Sequence, residues 1–211
     1  MTKRKLLALE TKKKLVEAAC GLLIEKGFDA INVEEITRAA NVSKGTFYTY
    51  FKRKEDIVLE ISRAPFRETV DEISRMEGMS IVSSLSYYME RFVSHFQRFG
   101  INVCRQWTKE VLNPRNASDG VDGAKWLYDL GELKKLLQEA IERGELAAET
   151  PLETLAHIFL SELYGLMTSW CMSDGDFDPA QHMDRIGKIL VGPILKPYLE
   201  ERNEIPEIER S

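Results

Sequence analysis

Apolar residues recur along this chain at three- and four-residue intervals, the spacing of one helical face, and no segment reads convincingly as a strand. Leu15, Ala19, Leu22 and Leu23 form an inward stripe in a helix expected over about residues 9–26. Gly27 suits the left-handed position that ends it, and Phe28 can fold back onto it. Val33, Ile36, Ala39 and Ala40 then mark one face of a short helix, and Phe47 and Phe51 mark the inward side of another. Lys54 and Glu55 open a longer helix through Ile57 and Ile61. Pro65 is expected to interrupt or kink it, and Gly78 and Ser80 mark its end. Leu85, Tyr88, Met89, Phe92, Val93, Phe96 and Phe99 fill a fifth helix, which Gly100 separates from a segment holding Val103, Trp107 and Val111. Asn113-Pro114 breaks the chain, and the stretch to Gly123 reads as a loop. Trp126, Leu127, Leu130, Leu133, Leu137 and Ile141 stripe the next helix, ended by Gly144 with Leu146 placed for a Schellman contact. Thr150-Pro151 and Asp178-Pro179 each begin a helix with proline at its first position, the last running to about residue 201.

The two short helices carry the clearest chemistry. Asn32 is a good N-cap, and Glu35 three residues on completes a capping box. Asn41 tolerates the left-handed turn between the helices, Val42 plugs their angle, and Ser43 caps the second. Lys44, Thr46, Tyr48, Thr49 and Tyr50 are then left on its other faces. Gly45 in the first turn costs about 1 kcal/mol relative to alanine, which makes sense where the backbone approaches another surface closely. Lys44 can donate to guanine and Tyr48 can lie against a thymine methyl in a major groove, while Thr46, Thr49, Tyr50 and Lys54 suit phosphates. Aromatic packing alone accounts for Phe47 and Phe51 but not for Lys44-Gly45 at the cap.

The run VSKGTFYTYFKRKED closely resembles the DNA-binding signature of the TetR family of bacterial transcriptional regulators. Ile36, Ala40, Val42, Ser43, Gly45, Thr46, Phe47, Tyr48, Phe51, Lys54 and Glu55 stand where that signature places such residues. Thr37 and Asn41 replace the more usual Ala and Gly, and Asn32 a common Thr. The resemblance covers roughly residues 10 to 60. It implies an all-α chain with a helix-turn-helix head over residues 1–56 and a ligand-binding, dimerising body over residues 57–211. It further implies binding through Asn32, Ser43, Lys44, Gly45, Thr46, Tyr48, Thr49, Tyr50 and Lys54 to a palindromic operator in double-stranded DNA.

Charge agrees with that division. Of the 211 residues, 1–56 hold 12 Lys+Arg against 8 Asp+Glu, a net of +4; the rest hold 17 against 26, a net of −9, which sum to the overall −5. A basic head on an acidic body fits contact with DNA by the head alone. Lys12, Lys13 and Lys14 are either solvated or part of a basic arm near phosphates. Cys20, Cys104 and Cys171 lie far apart with no CxxC, so reduced thiols and a cytoplasmic protein are expected. Neither a signal peptide nor a membrane helix is expected, since His157 and Glu162 interrupt the most apolar span.

The span over residues 151–172 is apolar nearly all round, with Ala156, Gly165 and Ser169 small enough for close helix approach. Its pattern fits a buried core helix and a dimer interface shared with the last helix equally; the family resemblance favours a homodimer. Phe92, His95, Phe96, Trp107, Trp126 and Tyr164 fit both core packing and the walls of a small-molecule pocket, and the resemblance implies an effector there. No catalytic signature is present and no cofactor or metal is expected: Asp174-Gly-Asp176-Phe-Asp178 lacks the glycine and glutamate of a calcium loop. The expected function is a repressor released from its operator by a small molecule. The alternatives are a regulator without a ligand, an activator, or an all-helical enzyme or scaffold.

Overall fold

The computed structural model describes residues 3–76, 78–112 and 125–200. The loop expected from Asn113 to Gly123 lies outside the described residues, whereas the last helix ends at Leu195, short of the expected residue 201, because the chain tightens into a 3-10 turn over Lys196–Tyr198 and is extended at Leu199. The helices are α1 (Lys3–Lys26), α2 (Val33–Ala39), α3 (Lys44–Tyr50), α4 (Lys54–Arg75), α5 (Ile81–Val111), α6 (Lys125–Glu142), α7 (Leu152–Met172) and α8 (Pro179–Leu195), followed by a 3-10 turn (Lys196–Tyr198). Among the described residues there is no strand, only a single bridge between Leu146 and Leu199. The chain is therefore all-α, as its periodicity predicts.

Local signals account for most of the boundaries. Gly27 takes φ 78° and Phe28 folds back into the core beside Leu15, Ala19 and Leu23, although Leu22 stays half-buried. α1 starts at Lys3, earlier than its apolar stripe indicates, and its polar residues pair along and across helices: Lys14 with Glu10, Lys13 with Glu17, and Lys12 with Glu60 at 2.8 Å. α4 is helical through position 65, so Pro65 does not end it. α5 does break where expected: Gly100 has φ 75° and ψ 170°, a conformation glycine adopts without a Cβ penalty. The Cys104 thiol spans the break and donates to the Phe96 carbonyl at 3.3 Å. Gly144 takes φ 68°, and Leu146 is buried as the Schellman contact requires. Pro151 sits at the cap of α7 rather than at its first helical position, because the Thr150 hydroxyl turns back to the Ala147 carbonyl. Asp178 caps α8 as expected, accepting from Ala180 N–H at 2.9 Å.

Packing places α5 at the centre of the body, in contact with α1, α4, α6, α7 and α8. Leu85, Tyr88, Met89, Phe92, Val93 and Phe96 are all buried along it. Leu130, Leu133, Leu136, Leu137 and Ala140 form the inner stripe of α6, while Trp126 and Leu127 at its start are exposed rather than part of that stripe. The core continues unbroken from body to head through Ile57, Val58 and Ile61 of α4.

Candidate nucleic-acid interface and effector region

The helix-turn-helix is built from the residues that mark it in the sequence. Asn32 Oδ1 accepts from Glu35 N–H at 2.9 Å, and Glu35 Oε2 accepts from Asn32 N–H at 3.1 Å, so the capping box is complete. Asn41 takes φ 54° and Val42 N–H reaches back to the Thr37 carbonyl at 2.9 Å, which closes the turn. Ala39 is exposed, and the buried member of that helix face is Thr37, whose hydroxyl is satisfied by the Glu34 carbonyl. Ser43 Oγ accepts from Thr46 N–H at 3.1 Å and opens α3. Phe47 is fully buried with Phe51 beside it, ring centroids 5.4 Å apart. Burial of that size anchors α3 by about 2–3 kcal/mol.

Lys44, Gly45, Tyr48 and Thr49 stand exposed on one side of α3. A Cβ on Gly45 would meet only Ser43 Oγ, at an ordinary 3.7 Å, so nothing inside the chain requires glycine there. Tyr48 is half-exposed and held edge-on by Phe47, with centroids 5.5 Å apart. Thr49 donates to the Gly45 carbonyl, and Thr46 shares a hydroxyl contact with Ser43. Tyr50 is half-buried against the core instead of facing outward.

Two lysines are held by partners within the chain. Lys54 is half-buried at the start of α4. Its ammonium donates to the Phe28 and Ile31 carbonyls, both at 2.9 Å, and lies 4.1 Å from the Phe28 ring centroid. It ties the first turn of α4 to the connection between α1 and α2. Lys44 is exposed as expected but carries a partner that the sequence did not reveal: its ammonium donates to the Glu34 carboxylate on α2. That hydrogen bond raises the Lys44 pKa and lowers that of Glu34.

In the body, the expected effector residues do not all converge. His95 stacks on Trp107 with centroids 5.5 Å apart, Phe92 meets Phe96 at 5.8 Å, and Phe92 meets Tyr164 at 6.1 Å. Phe99 and Trp170 complete this network, 5.4 Å from Trp107 and Phe96 respectively. Tyr164 donates to Asp129 at 2.6 Å, and Trp107 Nε1 donates to the Val58 carbonyl of α4 at 3.0 Å. Trp126 lies apart, on the surface against His157 at 5.2 Å, because its end of α6 projects beyond the core stripe.

A helix-turn-helix with an exposed basic recognition helix, carried on a larger all-helical body, defines a DNA-binding regulator class. Residues 15–61 match the profile of the tetR family of bacterial regulatory proteins. The chain is 26% identical over 208 residues to the transcriptional repressor BepR of Brucella suis, covering 93% of this chain and 98% of that one. It is 22% identical over 196 residues to the fatty acid metabolism regulator protein of Bacillus subtilis, covering 85% and 93%. Its fold is similar to that of Thermus thermophilus FadR in complex with lauroyl-CoA, with a TM-score of 0.67 at 22% identity over 91% of this chain and 97% of that one. Residues 15–61 carry the DNA-binding domain of the TetR family of bacterial transcriptional regulators.

Proposed function

We propose that this protein is a homodimeric, cytoplasmic repressor that binds a palindromic operator through α3 and is released from it by a small molecule held in the body. The observation that carries the DNA reading is Gly45. It occupies the exposed first turn of α3, where a Cβ would make only an ordinary contact with Ser43 Oγ at 3.7 Å, so its stability cost serves an approach from outside the chain. Lys44 and Tyr48 flank it as base-reading groups, with Thr46 and Thr49 toward the phosphates. Tyr50 has a lesser part in contact, and Asn32 and Ser43 act mainly by fixing the helix starts. The head of residues 1–56 and the body of residues 57–211 are the units that move relative to each other.

Effector control follows from α4, which runs from the Lys54 clamp at the head into the body core. Phe92, His95, Phe96, Trp107 and Tyr164 form the inner wall facing this coupling, with Trp107 bonded directly to α4. An effector that favours one placement of α4 shifts the two heads by its differential affinity for the two placements. The repressor BepR and the acyl-CoA-bound FadR among the similar proteins support this reading.

The direct test is Gly45→Ala. The chain should become more stable by about 1 kcal/mol, as alanine replaces glycine in a helix, while its operator affinity falls. Fluorescence anisotropy on a palindromic duplex over a salt series, beside thermal unfolding, reads both. Operator binding as tight as that of the parent would remove the basis for placing Gly45 against DNA.

A further inference from the structure

A pocket of about 670 Å³ opens at the end of the body where the last turn of α4, the start of α5 and the end of α6 meet. Ile73, Met76 and Met79 form an apolar wall, while Glu139 and Glu142 stand on the α6 side. Ser84 also lines the pocket; it is 1% exposed, and its hydroxyl has no hydrogen-bond partner among the described residues. A buried hydroxyl left this way is costly unless something that enters the pocket satisfies it.

The charges of the lining are unequal in what they have left to offer. Arg143, the one cationic lining residue among the described residues, is held by Glu145 at 2.9 Å, and Glu145 also accepts from Ile81 N–H at 2.7 Å. That pair is therefore spent on structure. Glu142 accepts one bond from Gln138 at 3.2 Å, and Glu139 has a loose, exposed contact with Lys135 at 3.9 Å. A carboxylate has about four acceptor sites, so both retain capacity toward a donor. No metal-type cluster of ligands occurs among the described residues, and an apolar wall is of no use to a bare ion. Ser84, Tyr88 and Phe92 follow at four-residue steps along α5, all buried, so the pocket lies on the side of α5 that leads toward the aromatic network.

We propose that this pocket is the effector site and that it takes an amphipathic organic cation: an ammonium group against Glu139 and Glu142, and an apolar chain along Ile73, Met76 and Met79. This rests on the ligand-released reading above and gives it a ligand class. It also separates this chain from the acyl-CoA-bound structures it is similar to in fold, since carboxylates in the lining repel phosphate. An occupant wedged against the last turn of α4 acts on the same helix whose first turn holds the head.

Octylamine, octanoate and lauroyl-CoA are suitable probes, with titration calorimetry for binding and anisotropy for operator release. Octylamine should bind saturably at one site per chain, at least about tenfold more tightly than either anion, and should release operator DNA. The double variant Glu139→Gln/Glu142→Gln should lose about tenfold or more of octylamine affinity with its unfolding midpoint unchanged. Ser84→Ala, which keeps the helix, should weaken octylamine without reversing the preference for the cation. Equal or tighter binding of octanoate or lauroyl-CoA overturns the proposal, as does octylamine binding indifferent to the glutamate variants. Saturable, glutamate-dependent binding that leaves operator affinity unchanged overturns its effector role. If the unliganded protein does not bind operator DNA at all, the DNA reading fails, while the calorimetric result still decides the pocket's ligand class.

Discussion

Lys44 and Glu34 are ten residues apart in sequence, yet they form one contact at the edge of the recognition surface. In the free protein the lysine meant for a base is already paired, so binding DNA exchanges one partner for another. Glu34→Gln should leave the fold intact, tighten binding to operator at least as much as to random DNA, and steepen the salt dependence by about one released counterion. Anisotropy titrations on both duplexes at several salt concentrations check this; an unchanged slope would show that Lys44 is not restrained. The pH window follows from the shifts. Glu34 is held below the usual carboxylate range, so the pair is intact above that range and is lost as pH falls through the lowered pKa. Lys44 is held above its usual value, so on the alkaline side the pair is lost only as pH rises through the raised pKa. Near neutral pH the effect of Glu34→Gln should therefore not vary with pH. Lys54 gives the opposite contrast. With two carbonyls on its ammonium, Lys54→Met should cost about 2–3 kcal/mol of stability and leave the DNA salt slope unchanged. A flattened slope at unchanged stability would return Lys54 to the phosphates.

At the scale of elements, the caps and stops were legible because each depends on residues within one turn of one another. Asn32 with Glu35, Ser43, Gly27, Gly100, Gly144 and Asp178 all act where their spacing places them. What the sequence hid depends on contacts between distant segments. The Lys54 clamp spans 26 residues to Phe28, and the bond from Trp107 to Val58 spans 49. Nothing in a periodic pattern distinguishes an aromatic side chain that fills a core from one that also hydrogen-bonds a neighbouring helix. Trp126 is exposed for a related reason: the apolar stripe of α6 is continuous in sequence, and periodicity alone does not say which of its turns meet the core. The distal pocket draws its lining from separate segments and left no local signature. Trp107→Phe tests the coupling between α5 and α4. It keeps most of the buried ring and removes the indole donor, at a cost of about 1 kcal/mol. Operator affinity in the absence of effector should change little, while the effector concentration needed for release should shift. Unchanged release would mean that α4 is moved by contacts other than this bond.

The whole molecule must hold two recognition helices about 34–36 Å apart if a dimer is to enter successive major grooves. The surface we propose for such an assembly lies on α7 and α8. Thr154, Ile158, Ser161, Gly165, Ser169 and Met172 follow at helical spacing along the exposed side of α7, with Met172 82% exposed, and Ile189 of α8 is 74% exposed. Ala156, expected on this face, is instead fully buried in the chain's own core. An uncharged stripe with so little side chain at Gly165 and Ser169 suits a helix lying close against its symmetry mate. Gly165 has nothing within 4 Å of a Cβ position, so a larger residue fits the single chain without a clash. Gly165→Arg should therefore fold normally by circular dichroism yet place an unpaired charge in the proposed contact. Light scattering should give half the mass of the parent protein. Operator affinity should fall as well, because a monomer loses the gain of the second half-site. A folded dimer with parental affinity would put the interface on another face. A monomer that still binds the full operator as tightly as the dimer would separate assembly from DNA recognition.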